Sequence, residues 1–296
     1  MATINMLDSR ELPPERVKKL FKQYRKSHHW SETGASANLI DTHSLPTSGI
    51  NATVSLESVI SSEIIAAACK DLIAPLHSNG GKPVNCEGAR VFAVEGLPEL
   101  FYPFDQDNHR AFNTSQFLNS KLRWMTLGGQ YDWTEKRYPP EDPPPFPKEI
   151  DLFIKTLFPN VRPEAAIMNI YNPGDSLSMH RDVSEQCDNA LVSISLGCDA
   201  LFIAALQPDS ESEPKHKVFR LHSGDAIYLD GPSRFAWHGV PKVIPKTCPD
   251  WLHDWPAEST LRTDDYSGWR GWMAGKRINL SVRQMHVEVP SNEKKA

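Results

Sequence analysis

The chain has 296 residues, of which 40% are hydrophobic and 23% are charged, and its formal net charge is −5 at pH 7. This length is sufficient for a sizeable hydrophobic core, and no apolar run approaches the ~20 residues that a transmembrane helix requires. A protein that binds nucleic acid over its whole surface is usually basic, so the acidic balance restricts any nucleic-acid contact to a local patch.

The first predicted element is an amphipathic helix within residues 1–27. Apolar residues recur there at helical spacing, at Val17, Leu20, Phe21 and Tyr24. Cations crowd the other positions of the same segment, at Lys18, Lys19, Lys22, Arg25 and Lys26. Two compatible interpretations follow: a helix that packs on the core with its basic face in solvent, or a contact surface for nucleic acid.

The middle of the chain has a mixed pattern. Residues 28–58 are rich in Ser, Thr, Gly and Asn and are typical of a linker, and residues 57–72 have the apolar spacing of a second helix. Residues 121–133 alternate and end in aromatic side chains, which predicts a hairpin. The prolines of residues 139–147 indicate an extended connector, and residues 149–158 are predicted to form a short helix.

From residue 165 onwards the sequence predicts short strands separated by turn residues. Eight strands without intervening helices indicate an all-β sandwich or a jelly roll, and the jelly roll is also called a double-stranded β-helix. The predicted fold class is therefore mainly β (α+β), with N-terminal helices, and residues 241–275 form an insertion between the last two strands. The eight strands are predicted at 165–171, 176–180, 190–196, 200–206, 217–222, 225–230, 234–240 and 277–286.

One motif near a strand end has the spacing of a metal site. His180 and Asp182 are two residues apart, so on a strand they point to the same face. His238, near the end of another predicted strand, is the candidate third ligand. Two histidines and one carboxylate on one side of an ion leave open positions, which is the arrangement of non-haem iron oxygenases. A His-x-Asp pair followed by a distant His also arises by chance.

The last predicted strand carries a second polar pattern. Arg277, Asn279, Ser281 and Arg283 alternate along it and therefore share one face. Two arginines inside a barrel require anionic partners, and arginine matches carboxylate geometry with two parallel hydrogen bonds. A bound dicarboxylate would satisfy both arginines. The alternative is that one or both point to solvent or pair with Asp or Glu.

Three separated segments resemble the AlkB family of Fe(II)- and 2-oxoglutarate-dependent dioxygenases. These are residues 169–182, with Asn-x-Tyr, Pro-Gly and His-x-Asp in order, residues 221–238 with the distal His, and residues 277–283 with Arg-x-Asn and Arg. Residues 121–133, with Lys-Leu-Arg-Trp at their start, resemble the eukaryotic AlkB homologue-one branch. The resemblance implies the jelly-roll core, with a lid for nucleotide recognition placed before it.

The resemblance assigns a role to each matching residue. His180, Asp182 and His238 would bind Fe(II). The 2-oxoglutarate cosubstrate would be held by a second group. Asn169 and Tyr171 would form hydrogen bonds with 2-oxoglutarate. Arg277 would bind its distal carboxylate, and Arg283 would bind the carboxylate beside the keto group. Asn279 would support these residues.

A third group of residues would contact the substrate. Tyr131 and Trp133 lie in the segment that covers a flipped base in this family, and Arg234 matches an arginine near the mouth of the site. Ser184 stands where some members have a base-contacting carboxylate, so the preference for a particular base does not carry over.

The implied units are residues 1–84 (helical extension and flexible linker), residues 85–160 (nucleotide-recognition lid and its supporting elements) and residues 161–290 (dioxygenase domain).

The implied activity is oxidative demethylation of alkylated bases in DNA or RNA. Fe(II) would be the cofactor, 2-oxoglutarate and O₂ would be consumed, and succinate, CO₂ and formaldehyde would be released. The partner would be DNA or RNA with a flipped or single-stranded methylated base. Three alternatives stay open: a demethylase or hydroxylase of a protein such as a histone, a metal-independent lyase at abasic sites, and a binding module without activity.

The cysteines and the N-terminus bear on the compartment. The five cysteines include no Cys-x-x-Cys pair, which favours free thiols in a reducing compartment, and the N-terminus lacks an apolar signal-peptide core. We therefore expect an intracellular monomer in the nucleus, the cytoplasm or both, with mitochondria as a further option and no membrane partner.

Overall fold

The computed structural model describes the following residues: 7–26, 39–41, 100–101, 107, 110–113, 116, 119–120, 122–140, 142–206, 214–255 and 270–286. The predicted second helix at 57–72 lies outside these residues, as does most of the predicted linker. The part of that linker that is described, Leu39–Asp41, is a strand.

Two α-helices and twelve strands make up the regular structure of the described part. The helices are α1 (Glu15–Lys26) and α2 (Lys148–Leu157). The strands are β1 (Leu39–Asp41), β2 (Leu100–Phe101), β3 (Phe112–Asn113), β4 (Trp124–Gly128), β5 (Ala165–Tyr171), β6 (Leu177–His180), β7 (Leu191–Gly197), β8 (Ala200–Ala205), β9 (His216–Leu221), β10 (Ala226–Leu229), β11 (Trp237–Val243) and β12 (Arg277–Arg283). All eight strands predicted after residue 165 are present.

Ten of these strands form two five-stranded sheets. One has the order β1-β9-β8-β11-β6, which we call the minor sheet, and the other has the order β10-β7-β12-β5-β4, which we call the major sheet. Neighbouring strands are antiparallel except for β1, which runs parallel to β9. This two-sheet arrangement confirms the predicted jelly roll.

Several predicted strand boundaries differ from the structure by one to three residues, and the strand predicted at 277–286 ends at Arg283. Strand β11 begins at Trp237, not at residue 234, because Gly231–Ser233 form a short 3₁₀ helix capped by the Asp230 side chain. The same strand continues to Val243, so the insertion predicted at 241–275 begins later.

The hairpin predicted within residues 121–133 is wrong. Strand β4 pairs with β5, and the residues after β4 form a turn with one bridge between Asp132 and Arg137.

Each sheet is covered on one face by a helix. The apolar residues of α1 share a buried cluster with β6, β8, β9 and β11, which confirms that this helix packs on the core. Ile150 and Ile154 of α2 join the larger buried cluster, which contains apolar residues of both sheets. Neither helix, and no other helix among the described residues, combines the length and apolar character needed to cross a bilayer.

Candidate metal and cosubstrate site

The three predicted metal ligands converge at the open end of the minor sheet. His180 ends β6 and is the cross-strand partner of His238 on β11, so the two imidazoles project from the same face. Asp182 follows two residues later, with Oδ1 3.8 Å from His180 Nε2 and Oδ2 3.7 Å from His238 Nε2. The three ligand atoms lie within 4.8 Å of one another, and they form the only such His, Cys, Asp and Glu group found within the described ranges.

Backbone carbonyls fix which nitrogen each imidazole offers. His180 Nδ1 lies 2.9 Å from the carbonyl oxygen of Ser178, and His238 Nδ1 lies 3.0 Å from that of Ala236. A carbonyl can only accept a hydrogen bond, so both Nδ1 atoms carry the proton and donate it. Each Nε2 therefore presents a lone pair towards Asp182, which is the tautomer that a metal ligand requires.

Gly239 allows the two ligand strands to approach each other. A Cβ atom at this position would lie 2.8 Å from the carbonyl oxygen of Leu177 and 3.1 Å from the backbone nitrogen of Met179. The pairing of β11 with β6 also shifts register between His238 and Val240. A larger residue at 239 would therefore push apart the strands that carry the two histidines.

Burial and charge keep Asp182 and His238 in the protonation states that metal binding requires. Burial is the largest cause that lowers the pKa of His238 to about 4, and the neighbouring His180 lowers this pKa further while Asp182 opposes the shift. Burial would raise the pKa of Asp182, but Arg283 and the two histidines outweigh it and hold that pKa below its usual value. Asp182 is therefore anionic and His238 neutral at neutral pH.

The low pKa of His238 predicts that the metal-free protein loses stability as the pH falls from about 6.5 to about 4. In this window the unfolded imidazole binds a proton and the folded one does not. The loss should be on the order of 3 kcal/mol, which is the shift of the pKa converted at 1.36 kcal/mol per unit. Chemical denaturation at several pH values measures it, and His238→Asn should flatten the slope. An equal slope in that variant would contradict the assignment.

The predicted cosubstrate residues lie together on the major sheet. Arg277 and Asn279 of β12 are the cross-strand partners of Tyr171 and Asn169 of β5, so all four side chains point to one face. Arg283, further along β12, points to the same face as Arg277. Asn279 is held by β7, because its Nδ2 donates to Ser193 Oγ at 2.8 Å and to the Ile194 carbonyl at 3.1 Å.

Arg277 is a buried cation with unsatisfied donors. Arg277 is 1% exposed, and its Nη2 donates to Ser195 Oγ at 2.9 Å. Nε and Nη1 of Arg277 and the hydroxyl of Tyr171 are buried without a hydrogen-bond partner, and burial lowers the pKa of Arg277. Within the described residues no carboxylate pairs with Arg277. An anionic carboxylate placed between Arg277 and Tyr171 would satisfy these atoms, so the residues fit one end of a dicarboxylate.

Arg283 connects the metal ligands to the lid. Its Nη2 donates to Asp182 Oδ2 at 2.8 Å, its Nε lies 3.4 Å from Glu185 Oε1, and its Nη1 donates to the Tyr138 hydroxyl at 3.2 Å. Burial works against the charge, but Asp182, Tyr138 and Glu185 raise the pKa of Arg283 above its ordinary value. Arg283 is therefore a permanent cation beside the metal-binding carboxylate.

The lid residues form an aromatic series that starts at the surface and ends at Arg283. Trp133 is 44% exposed and contacts Trp124 edge to face, with ring centroids 5.0 Å apart. Tyr131 lies between Trp133 and Tyr138, at centroid distances of 4.8 and 5.2 Å. The Tyr131 hydroxyl lies 3.3 Å from Ser184 Oγ, in the loop that follows Asp182. The lid is thus anchored beside the metal ligands.

Arg234 is buried among residues of the loop that follows Asp182. Its side chain is 1% exposed, and its donors are used inside the protein: Nε to the Asn189 carbonyl at 2.6 Å, Nη1 to the Asp182 carbonyl at 2.8 Å and Nη2 to Glu185 at 3.1 Å. This placement does not support the substrate contact that the resemblance implies for Arg234. The residue holds the 182–189 loop, and with it the backbone of the metal-binding Asp182.

Three residues at the site were not predicted from the sequence. Tyr138 and Glu185 contact Arg283, and Ser195 contacts Arg277. Ser195 carried a signal, because Ser193 and Ser195 alternate with apolar residues in β7 and so share a face. Tyr138 and Glu185 lie in irregular segments, where no periodicity indicates which way a side chain points.

Comparisons with known proteins agree with this geometry. The model of the 2OG-Fe(II) oxygenase superfamily matches residues 94–283. The N6-methyladenosine RNA demethylase ALKB1 of Pyricularia oryzae is 48% identical over 214 residues, which cover 69% of this chain and 60% of that protein. The N6-methyladenosine RNA demethylase ALKBH of Cryphonectria parasitica is 50% identical over 194 residues, which cover 62% of this chain and 85% of that protein.

A third relative is the tRNA demethylase abh1 of Schizosaccharomyces pombe, which is 40% identical over 184 residues, or 60% of this chain and 57% of that protein. The chain therefore spans less than two thirds of the length of two of these three relatives. The fold and the matched residues are those of the 2OG-Fe(II) oxygenase superfamily. The chain belongs to this superfamily and, within it, to the AlkB family, which confirms the predicted cofactors Fe(II), 2-oxoglutarate and O₂.

Proposed function

We propose that the protein is an Fe(II)- and 2-oxoglutarate-dependent dioxygenase that oxidatively demethylates bases in RNA or DNA. The observation that carries this proposal is the convergence of three ligand atoms beside a buried Arg277 whose donors lack an anionic partner among the described residues. The names of the three relatives favour RNA, and N6-methyladenine in particular, as the first substrate class to test.

The roles of the chain's own residues follow from their positions. His180, Asp182 and His238 are the residues that would hold the ion. When bound, Fe(II) and 2-oxoglutarate supply the O₂ chemistry that oxidises a substrate C–H bond. Arg277 and Tyr171 orient the distal carboxylate, and Arg283 balances charge beside Asp182. A methyl group oxidised on a base nitrogen is then lost as formaldehyde.

The aromatic side chains of the lid would bind the substrate base. A base within a duplex cannot reach a ligand set enclosed by two sheets, so it must be unpaired or flipped out. Trp133 is exposed and Tyr131 lies between it and the site, which suits stacking of a nucleobase. Tyr131 and Trp133 therefore remain the proposed substrate contacts.

The test is mass spectrometry of the product together with a formaldehyde assay. The protein, Fe(II) and 2-oxoglutarate are incubated with matched RNA and DNA strands that contain N6-methyladenine, with methylated histone tails and with abasic DNA. We expect demethylation of a nucleic acid, formaldehyde release and dependence on both 2-oxoglutarate and metal. Demethylation that persists in EDTA would contradict the proposed chemistry, and turnover of histone tails alone would contradict the substrate class.

The basic face of α1 predicts a measurable salt dependence of nucleic-acid binding. Lys19, Lys22, Arg25 and Lys26 are exposed and Lys18 is partly exposed, while the apolar face is buried. Neutralising the five cations with Gln should lower the log–log salt slope by about 0.7 for each phosphate of a single strand that the helix no longer neutralises. Uncoupled 2-oxoglutarate turnover should not change. An unchanged slope would leave α1 with a packing role alone.

A further inference from the structure

One ion pair joins the N-terminal segment to the metal-binding strands. A carboxylate oxygen of Glu11 contacts Nη2 of Arg181, which stands between His180 and Asp182 in the chain. The Arg181 side chain is 7% exposed, whereas that of Glu11 is 40% exposed. The cation is therefore buried in the protein, and its partner approaches from the surface.

Arg181 also lies on the aromatic ring that precedes the third ligand. Its Cζ is 4.6 Å from the centroid of Trp237, and Trp237 is 1% exposed. Because side chains alternate along a strand, Trp237 projects from the face opposite to its neighbour His238. His238 is in turn paired with His180 across β11 and β6. The Arg181 guanidinium therefore spans the back of the strand pair that carries the histidines.

The segment that supplies Glu11 is itself attached to this part of the protein. Directly after it, α1 buries Leu20 and Phe21 in a cluster with Met179 and Trp237. On the other side, the backbone carbonyl of Ser9 accepts a hydrogen bond from Lys136 Nζ of the lid at 3.5 Å. Residues 7–26 thus lie against both the ligand strands and the lid.

Glu11 is the one carboxylate that pairs with Arg181 within the described residues, and Arg181 Nε is buried without a hydrogen-bond partner. Loss of the Glu11 charge would leave a buried cation uncompensated next to a site for a divalent ion. The cation would then oppose metal binding through its charge. Loss of the Glu11 charge would also release the Arg181 side chain from its position against β6 and β11.

From this we infer that Glu11 and Arg181 are positioning residues for the metal site, so that the N-terminal segment tunes metal affinity without touching the ion. Partners that orient metal ligands from outside the coordination sphere typically change affinity by about 10- to 100-fold when they are removed. The inference rests on the metal site proposed above.

The experiment measures the Kd for Mn(II) alone by calorimetry and the thermal midpoint of the metal-free protein, in the full chain. Glu11→Gln should weaken Mn(II) binding about 10- to 100-fold. Arg181→Gln combined with Glu11→Gln should bind no more weakly than Glu11→Gln alone, because the uncompensated cation is gone. Glu15→Gln is the matched control, since Glu15 is an exposed carboxylate of the same segment that pairs with Lys18 at 3.7 Å. Its Kd should equal that of the wild type.

Each outcome decides between the alternatives. A lower thermal midpoint in Glu11→Gln with unchanged Mn(II) affinity would assign the pair to packing alone and overturn the inference. A double variant that binds Mn(II) more weakly than Glu11→Gln alone would also overturn it. Glu11→Asp, which keeps the charge but shortens the side chain, should give an intermediate affinity and serves if Glu11→Gln does not fold. Mn(II) binding that survives Asp182→Ala would instead refute the metal site itself.

Discussion

Asp182→Ala is expected to abolish stoichiometric binding of Fe(II) or Mn(II) and all formaldehyde release from a methylated base. The carboxylate supplies one of three ligand atoms, and a site with three protein ligands has no spare donor. The substitution also removes the anion that accepts from Arg283 at 2.8 Å, so the remaining site is more positive and repels a cation. Calorimetry with Mn(II) in the absence of O₂ measures binding, and mass spectrometry measures the product.

Asp188→Asn is the control for this variant. Asp188 lies in the same loop but is exposed, and it does not belong to the ligand group. Its substitution should leave Mn(II) affinity and product formation at the wild-type level. Stoichiometric metal retained in Asp182→Ala would show that the ion binds elsewhere, and the assignment of all three ligands would then be wrong.

Arg277→Ala should weaken 2-oxoglutarate binding by about 2–5 kcal/mol, which is the usual loss when one partner of a buried charge pair is removed. Arg277 is enclosed beside Ser195 and Tyr171, and its Nε and Nη1 have no acceptor among the described residues. The folded protein should tolerate the change, because the partner of Arg277 is a ligand and the variant removes an uncompensated buried cation. The measurement is the Kd of 2-oxoglutarate for the Mn(II)-loaded protein.

A loss of 2-oxoglutarate affinity without a loss of Mn(II) affinity or stability would distinguish a cosubstrate contact from a general loss of structure. Mn(II) affinity should change much less than 2-oxoglutarate affinity in Arg277→Ala, and the thermal midpoint of the metal-free protein should not fall. Arg162→Ala, at a side chain that is 57% exposed, is the matched control and should bind 2-oxoglutarate normally. Equal affinity in the wild type and Arg277→Ala would remove Arg277 from the cosubstrate site.

Periodicity explains why much of the barrel could be predicted. Along β12 the polar residues Arg277 and Asn279 alternate with the apolar residue Ile278. The sequence alone therefore separates a polar face of this strand from an apolar one. The His-x-Asp spacing predicted two ligands close together, and their side chains do lie close together, although β6 ends at the histidine and the aspartate follows it in the loop. The third ligand, His238, was only a candidate from its place near a strand end, and the resemblance supported it, because spacing along the chain does not indicate which strands become neighbours.

The lid and the loop after Asp182 could not be predicted to the same extent. Residues 129–138 contain one bridge in place of a hairpin, because β4 uses its hydrogen bonds to extend the major sheet. Arg234 was placed by resemblance alone, and only the structure shows that Asn189 and Glu185 take up its donors. The predicted unit boundaries, the monomeric state and the compartment stay predictions.

The charges around the site have a consequence for how its two small ligands bind. The site contains three buried arginines, Arg234, Arg277 and Arg283, and two carboxylates, Asp182 and Glu185. Arg234 and Arg283 pair with these carboxylates and Arg277 does not, so the group has one positive charge in excess. A divalent ion alone raises that excess, and a dicarboxylate alone reverses it. Together their charges cancel, so joint occupancy restores the original balance. The occupancy of each ligand should therefore favour the other, and by thermodynamic linkage this cooperativity is the same in both directions.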